Sequence, residues 1–197
     1  MIPSASSPIR AVCLAVLLTC LGLAGCASAP PTTFDLAVPS TVVRQASGGP
    51  QLVIAEPVAL QTLDSDRIIV TAADGSVSAV PGAQWSDRLP RLVQTRLVQT
   101  FENAGRAVGR AGGPLAAPRT LYSDLRRFGI ITAGSPQAVV EITAKMVDTQ
   151  GGRIVASRIF RVAVPVGGVA GREAAAALDQ AATKVFADIV RWSAGRG

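Results

Sequence analysis

The strongest nucleophile this chain offers is a cysteine thiolate, and its three cysteines, Cys13, Cys20 and Cys26, all precede residue 27. Two of them sit in a segment that does no chemistry. Behind the single charge of Arg10 runs AVCLAVLLTCLGL, Ala11 to Leu23, apolar apart from Thr19 and Gly22. A bilayer span needs about 20 apolar residues, so this run is too short to cross. A positive start, a short apolar stretch and small residues after it describe a secretory signal peptide, expected over 1–25. Cys13 and Cys20 leave with it as small hydrophobes.

Cys26 is different. Leu23-Ala24-Gly25-Cys26 resembles the bacterial lipobox, in which the thiol receives a diacylglyceryl group and cleavage makes the cysteine the new N-terminus. The small residues before it give a peptidase access to the backbone. The competing reading is a chance cysteine beside an ordinary cleavage site, against which the apolar run, the spacing and the small residues all argue. A lipidated Cys26 forms no disulfide, so the fold does without one although the exported compartment permits them. Acyl chains such as palmitate contribute about 0.8 kcal/mol per buried methylene, and several on one residue anchor stably. By the sorting rule for such lipoproteins, aspartate after the cysteine retains the protein at the inner membrane. Ala27 therefore directs the expectation to the periplasmic face of the outer membrane.

Other chemistry is missing. The chain has no histidine, the commonest general base and metal ligand. No thiol remains for cysteine catalysis once Cys26 is acylated. Asp64 and Asp66 lie close together, but DSD beside a strand start reads as a turn. A calcium loop needs more acidic residues at alternating positions. The stretch GGVAG at 167–171 lacks the Lys-Ser/Thr end of a phosphate-binding loop. The sequence therefore points away from an enzyme and asks for no metal and no cofactor. The net charge is +6, carried mostly by arginine. An exported protein meets no cytoplasmic nucleic acid, so that partner is discounted. Attraction to anionic headgroups or an acidic partner stands beside a merely solvated surface and a GC-rich genome as explanations.

These residues must be positioned by elements that the hydrophobic pattern outlines. Ala27 to Thr33, ASAPPTT, reads as a mobile tether, part of a lipidated segment 26–33. FDLAV from Phe34 alternates as a half-buried strand. Ser40 to Pro50 reads as a loop, and QLVIAE from Gln51 as a buried strand ended by Pro57. DRIIVTA and SVSAV flank Ala73-Asp74-Gly75, a hairpin signal. Trp85, Leu89, Val93, Leu97 and Phe101 repeat every four residues and predict one helical face, with Asp87 as cap and Pro90 in the first turn. That spacing makes Trp85 a core residue rather than a binding one. A short strand is expected between Arg106 and Gly113. TLYSDLRRFGII, Thr120 to Ile131, reads as a strand of imperfect alternation. QAVVEITAKMVDT and RIVASRIFRVAVPV, joined by Gln150-Gly151-Gly152, form an antiparallel pair. Arg172 to Trp192 is a long helix with Ala175, Leu178, Ala182, Val185, Ile189 and Trp192 on its apolar stripe. The expected fold is one α+β domain over 34–197. It is a two-layer sandwich, with a mostly antiparallel twisted sheet carrying both helices on one face.

This order of segments resembles the ABC-type transport auxiliary lipoprotein family, whose best-known type belongs to the paraquat-inducible (Pqi) lipid-transport system. The resemblance rests on Cys26, TFDL, IAEPVALQTLDSDRIIV, the helix start QWSDRLPRLVQTRL and the hairpin AVVEITAKMVDTQGGRIVASRIF. Phe34 stands where the family usually has tyrosine, and Pro90 interrupts the helix start. The resemblance implies a non-enzymatic subunit of an envelope lipid transporter, docking a periplasmic MCE-domain protein at the outer membrane. It further implies phospholipid as a ligand and a homo-oligomer matching a multimeric bridge. No residue for partner or lipid contact carries over by motif. The alternative is a regulatory envelope lipoprotein activating a peptidoglycan synthase, which favours a long tether. Here the tether reaches roughly 25 Å at full extension, which favours work close to the lipid surface.

Overall fold

A computed structural model describes residues 29–40 and 50–194. The chain divides into two compact units, 1–30 and 31–197, and all elements below belong to the second. They follow in the order β1 (Thr32–Phe34), β2 (Leu52–Ile54), β3 (Val58–Ala59), β4 (Arg67–Thr71), β5 (Val77–Trp85), α1 (Leu89–Asn103), β6 (Val108–Arg110), β7 (Arg119–Ile131), β8 (Gln137–Asp148), β9 (Ile154–Pro165) and α2 (Gly171–Ser193). The fold is α+β: a single mixed sheet, antiparallel in its longest ladders, packed against two helices.

The organising strand is β7. Along one edge it pairs with β8 over nearly its whole length, antiparallel, and β8 passes the ladder on to β9. Along its other edge three short strands line up end to end, all parallel to it: β2 against Arg119–Leu121, β3 against Asp124 and Leu125, β4 against Gly129–Ile131. Beyond β2 lies β6, and beyond β4 lie β5 and then β1. The hairpin expected around Asp74-Gly75 joins β4 to β5. Gly75 takes φ +84° there, and the Asp74 carboxylate accepts from the Ser76 N–H at 2.9 Å.

Alternation sorts the long strands into two faces. On β8, Ala138, Val140, Ile142, Ala144 and Met146 are completely buried and belong to the core cluster. α2 lies over this row and over β9, presenting Ala174, Ala175, Leu178, Ala181, Ala182, Val185, Phe186 and Ile189. The four buried among its seven alanines let the helix approach the sheet closely while keeping the best helix propensity. α1 packs beside α2 and over β2 and β6, where the buried Gln94 side chain donates to the Ile54 carbonyl at 2.9 Å. Both helices therefore occupy one layer, and the other face of the sheet carries none of the described helices.

Three expected details differ. The first strand is Thr32–Phe34 rather than Phe34–Val38, because its partner is β5, with Phe34 opposite Trp85. Trp85 ends β5 instead of opening α1, since its N–H donates to the Asp66 carbonyl at 2.7 Å. It is nonetheless buried, edge-to-face with Phe128 at 5.8 Å. Asp87 does not cap α1. Arg88 takes the cap position with no side-chain cap bond, and the Asp87 carboxylate accepts from the Arg88 N–H at 2.7 Å. Pro90 does lie in the first turn. The loop expected at 40–50 falls mostly outside the described residues.

Two predictions arise from this architecture. A Cβ on Gly129 would lie 2.6 Å from the Ile69 carbonyl oxygen of the adjacent strand. Gly129→Ala should therefore cost about 1–3 kcal/mol in urea unfolding, whereas Gly151→Ala, where the added atom meets open space, should be nearly silent. The second concerns Asp35. Partial burial works to raise its pKa, but the Arg96 guanidinium, the Ser86 hydroxyl and the Leu36 N–H outweigh it and hold the carboxyl below the ordinary aspartate value. A depressed folded-state pKa gives stability that is present above the unfolded value and lost as pH falls through the folded one. Asp35→Asn should lower stability at neutral pH and flatten the acid limb of the stability curve below about pH 4, read by urea midpoints.

Candidate functional site

The residues singled out in the sequence for chemistry, Cys26 with Leu23, Ala24 and Gly25, lie outside the described residues. Asp64 and Asp66 do serve a turn. Asp64 and Glu56 both pair with Arg88, whose guanidinium pKa is raised, first by the Asp64 hydrogen bond. The Asp66 carbonyl takes the Trp85 N–H. Among the described residues no group of three or more potential metal ligands comes together. No helix among them is long and apolar enough to cross a membrane. Arg106 is buried beside Ser193, donating to its carbonyl at 3.3 Å, and desolvation pushes its pKa down.

What the structure does assemble is the sheet face opposite the helices. Register across β7, β8 and β9 places Tyr122 with Lys145 and Ser157, Asp124 with Thr143 and Ile159, Arg127 with Glu141 and Arg161, and Gly129 with Val139 and Ala163. The polar members form cross-strand pairs. Lys145 reaches Asp124 at 2.8 Å, and Glu141 takes Arg161 at 3.2 Å and Arg126 at 3.3 Å. Between them the face leaves large apolar side chains in solvent: Ile159 is 52% exposed, Tyr122 48% and Val77 50%. Val58, opposite Asp124, and Leu60 in the loop after β3 are more exposed still, at 65% and 72%. Scattered exposed hydrophobics are ordinary, but several on one sheet face, interleaved with charged pairs, make that face the candidate interaction surface.

A β-bulge shapes the upper part of this face. The β7–β8 register shifts between Leu125 and Arg127. In unbroken alternation the neighbours Arg126 and Arg127 would point to opposite faces, one of them into the core. The bulge leaves both exposed and returns Phe128 and Ile130 to the interior. Beside these arginines opens a cleft of about 260 Å³, bounded by Leu60, Thr62 and Leu63 of the loop and by Ile69, Thr71, Val77, Gly129 and Ile131 of β4, β5 and β7. Arg126 is shared with Glu141, whereas Arg127 has no ion pair among the described residues. Two guanidiniums, Arg126 and Arg161, thus hold one carboxylate, and Arg126 and Arg127 give the cleft a positive rim with no carboxylate in its lining. The arginine pair was readable in the sequence as RR inside a strand pattern. The same imperfect alternation that blurred this strand was the trace of the bulge.

Glu141 holds this lattice together, and it is only 8% exposed. Glu141→Gln should cost about 1 kcal/mol by urea unfolding, the loss of two half-exposed ion pairs. The difference should shrink in molar salt as screening weakens the pairs that wild type keeps.

Comparison with known proteins gives this geometry its context. The profile of the ABC-type transport auxiliary lipoprotein component matches residues 33–190. An uncharacterized protein of Bradyrhizobium diazoefficiens is 31% identical over 172 residues, covering 86% of this chain. The chain spans 46% of that relative's length, less than half. The crystal structure of a Xanthomonas campestris protein of the DUF330 family shares 33% identity at a TM-score of 0.75, over 84% of this chain and 97% of that one. A second crystal structure, of an uncharacterized protein 16% identical, shares the fold at a TM-score of 0.65 over 83% and 99% of the two chains.

Proposed function

The chain belongs to the ABC-type transport auxiliary lipoprotein family, and we propose that it is the non-enzymatic, lipid-anchored docking subunit of an intermembrane lipid transporter. In this reading Cys26 carries the anchor and Ala27 sends the protein to the periplasmic face of the outer membrane. The partner is the MCE-domain protein that reaches across the periplasm, with phospholipid as the cargo. The observation that carries the docking role is the sheet face without helices. Tyr122, Ile159 and Val58 stand exposed on it among paired charges. Exposed apolar side chains interleaved with charged pairs give a mixed surface on which a partner can find both apolar contact and charge complementarity. Aromatic anchors such as Tyr122 are the residues on which such interfaces concentrate their energy.

A cross-linked pull-down of the lipidated protein from intact membranes, with partners identified by mass spectrometry, tests this directly. Wild type should bring down an MCE-domain protein. A Tyr122→Glu/Ile159→Glu double variant should lose it while keeping its unfolding midpoint, because both side chains are half in solvent already. Cys26→Ser should leave the membrane fraction. Recovery of a peptidoglycan synthase without any MCE protein would replace this reading with the regulatory one.

A further inference from the structure

We propose that the cleft beside the β7 bulge is a binding site for a single-chain anionic amphiphile, its aliphatic chain lying against Leu60, Leu63, Ile69 and Val77 and its head group on Arg127. The cleft shares a face with the docking surface but needs no partner to be filled.

Size limits the occupant first. At about 260 Å³ the space falls just under the roughly 300–1,000 Å³ of drug-sized ligand pockets, room for one chain segment against its walls. The lining then chooses between an alkyl chain and a peptide. β4 forms the floor, and it is paired on both sides, with β5 and with β7. β7 is paired in turn with β8. The backbone groups of the floor are therefore spent in ladders. A peptide entering here would bury its own N–H and C=O groups with no ladder to join, a cost an alkyl chain does not carry. The walls are mostly aliphatic, Leu60, Leu63, Ile69, Val77 and Ile131, with Thr62 and Thr71 as their polar members.

Charge selects the head group. The bulge sets Arg126 and Arg127 side by side at the rim, and Glu141 draws only Arg126. Arg127, exposed and without an ion pair among the described residues, is free to take a carboxylate or phosphate in bidentate fashion. Two sources share this chemistry: a free fatty acid, with a carboxylate head, and a lysophospholipid, with a phosphate. Leu60 and Val77 flank the opening at 72% and 50% exposure, an apolar surface that the bound chain would remove from water.

The test uses the lipidated protein in phosphatidylcholine nanodiscs and a palmitate analogue bearing a photoactivatable diazirine in its chain. Label should appear by mass spectrometry in the segments 60–63, 69–77 and 126–131. Val77→Glu, which changes a half-exposed side chain and should leave the fold intact by circular dichroism, should abolish it. Arg127→Glu should reduce labelling by the anionic probe about tenfold and leave a neutral monoacylglycerol diazirine unchanged. Competition by palmitate alone identifies a free acid as the ligand, and competition by lysophosphatidylglycerol identifies a lysophospholipid; either supports the site. Label spread over the surface, or labelling unchanged in both variants, overturns it. Because no partner is present, the result is independent of the docking test. Tyr122→Glu/Ile159→Glu, whose residues do not line the cleft, should lose partner recovery and keep the label, so the two readings fail separately.

Discussion

The rest of the domain depends on β7 having two usable edges. A strand of 13 residues is long enough to serve β8 along one side and three separate strands in sequence along the other. Without it β3 would have no partner, β2 only the three-residue β6 and β4 only β5, fragments of two to five residues that pair too little to be stable by themselves. With it, each short strand finds a fixed register. The turn at Leu60–Asp66 then becomes a loop hanging over the sheet rather than a free connection. The close approach of Gly129 to the Ile69 carbonyl is the local consequence: where β4 joins β7, there is no room for a Cβ.

Length also creates the asymmetry on which function rests. A long twisted ladder of β7, β8 and β9 has two faces, and both helices take the same one. α2 covers the inward row with alanines, leucine, valine and phenylalanine, and buries its β8 members completely. The outward row has no such cover and solves its burial problem sideways. Glu141 is satisfied by arginines from two strands. Cross-strand ion pairs of this kind contribute modestly to stability. Their larger effect is to keep an apolar face soluble until a partner covers it, and to fix which partner charges are tolerated there.

Much of this was legible in residue order. The alternation in Val139, Glu141, Thr143, Lys145 and Val147 assigned both faces of β8 correctly, because nothing interrupts its period. In β9 the bulge opposite Met146 and Val147 pairs Ile154 with Val147, so Ile154 leaves the row of Ala156 and Arg158 with which simple alternation groups it. α2 declared itself through an apolar stripe sustained over its whole length. Trp85 was placed in the core for a reason that happened to serve either element. Its spacing of four from Leu89 suits a helix, yet a strand feeding directly into a helix buries the same side chain. The parallel pairings were not legible, since β1 and β2 are three residues each and owe their existence to partners far along the chain. The cleft was hidden for the same reason: its walls come from the segments 60–63, 69–77 and 126–131, which only the β7 pairings bring together. Its arginine pair depends on one extra residue in a strand, and a bulge leaves in the sequence only a lapse in period. Cys26 is a different case: its resemblance to a lipobox lies in four consecutive residues outside the described ones and rests on the sequence alone.

The edges of the sheet bear on why the face, and not an edge, is the surface proposed for a partner. A long unpaired edge is an open invitation to another strand, and β9 has no strand beyond it among the described residues. It is nevertheless guarded at several points. The bulge opposite Met146 and Val147 distorts its start, Arg158 and Arg161 charge its middle, and Pro165 closes its end. Arg158 also leans over the Phe160 ring at 5.3 Å, which ties one guard to the core. At the opposite margins β1 and β6 are three residues each, too short to template another chain. A protein that protected its face in the same way would spread charge evenly across it. Here the charges pair with one another and leave Tyr122, Ile159, Val58 and Leu60 uncovered. Guarded edges beside an unguarded face are what a subunit needs if it is to meet a partner in one orientation without polymerising through its strands.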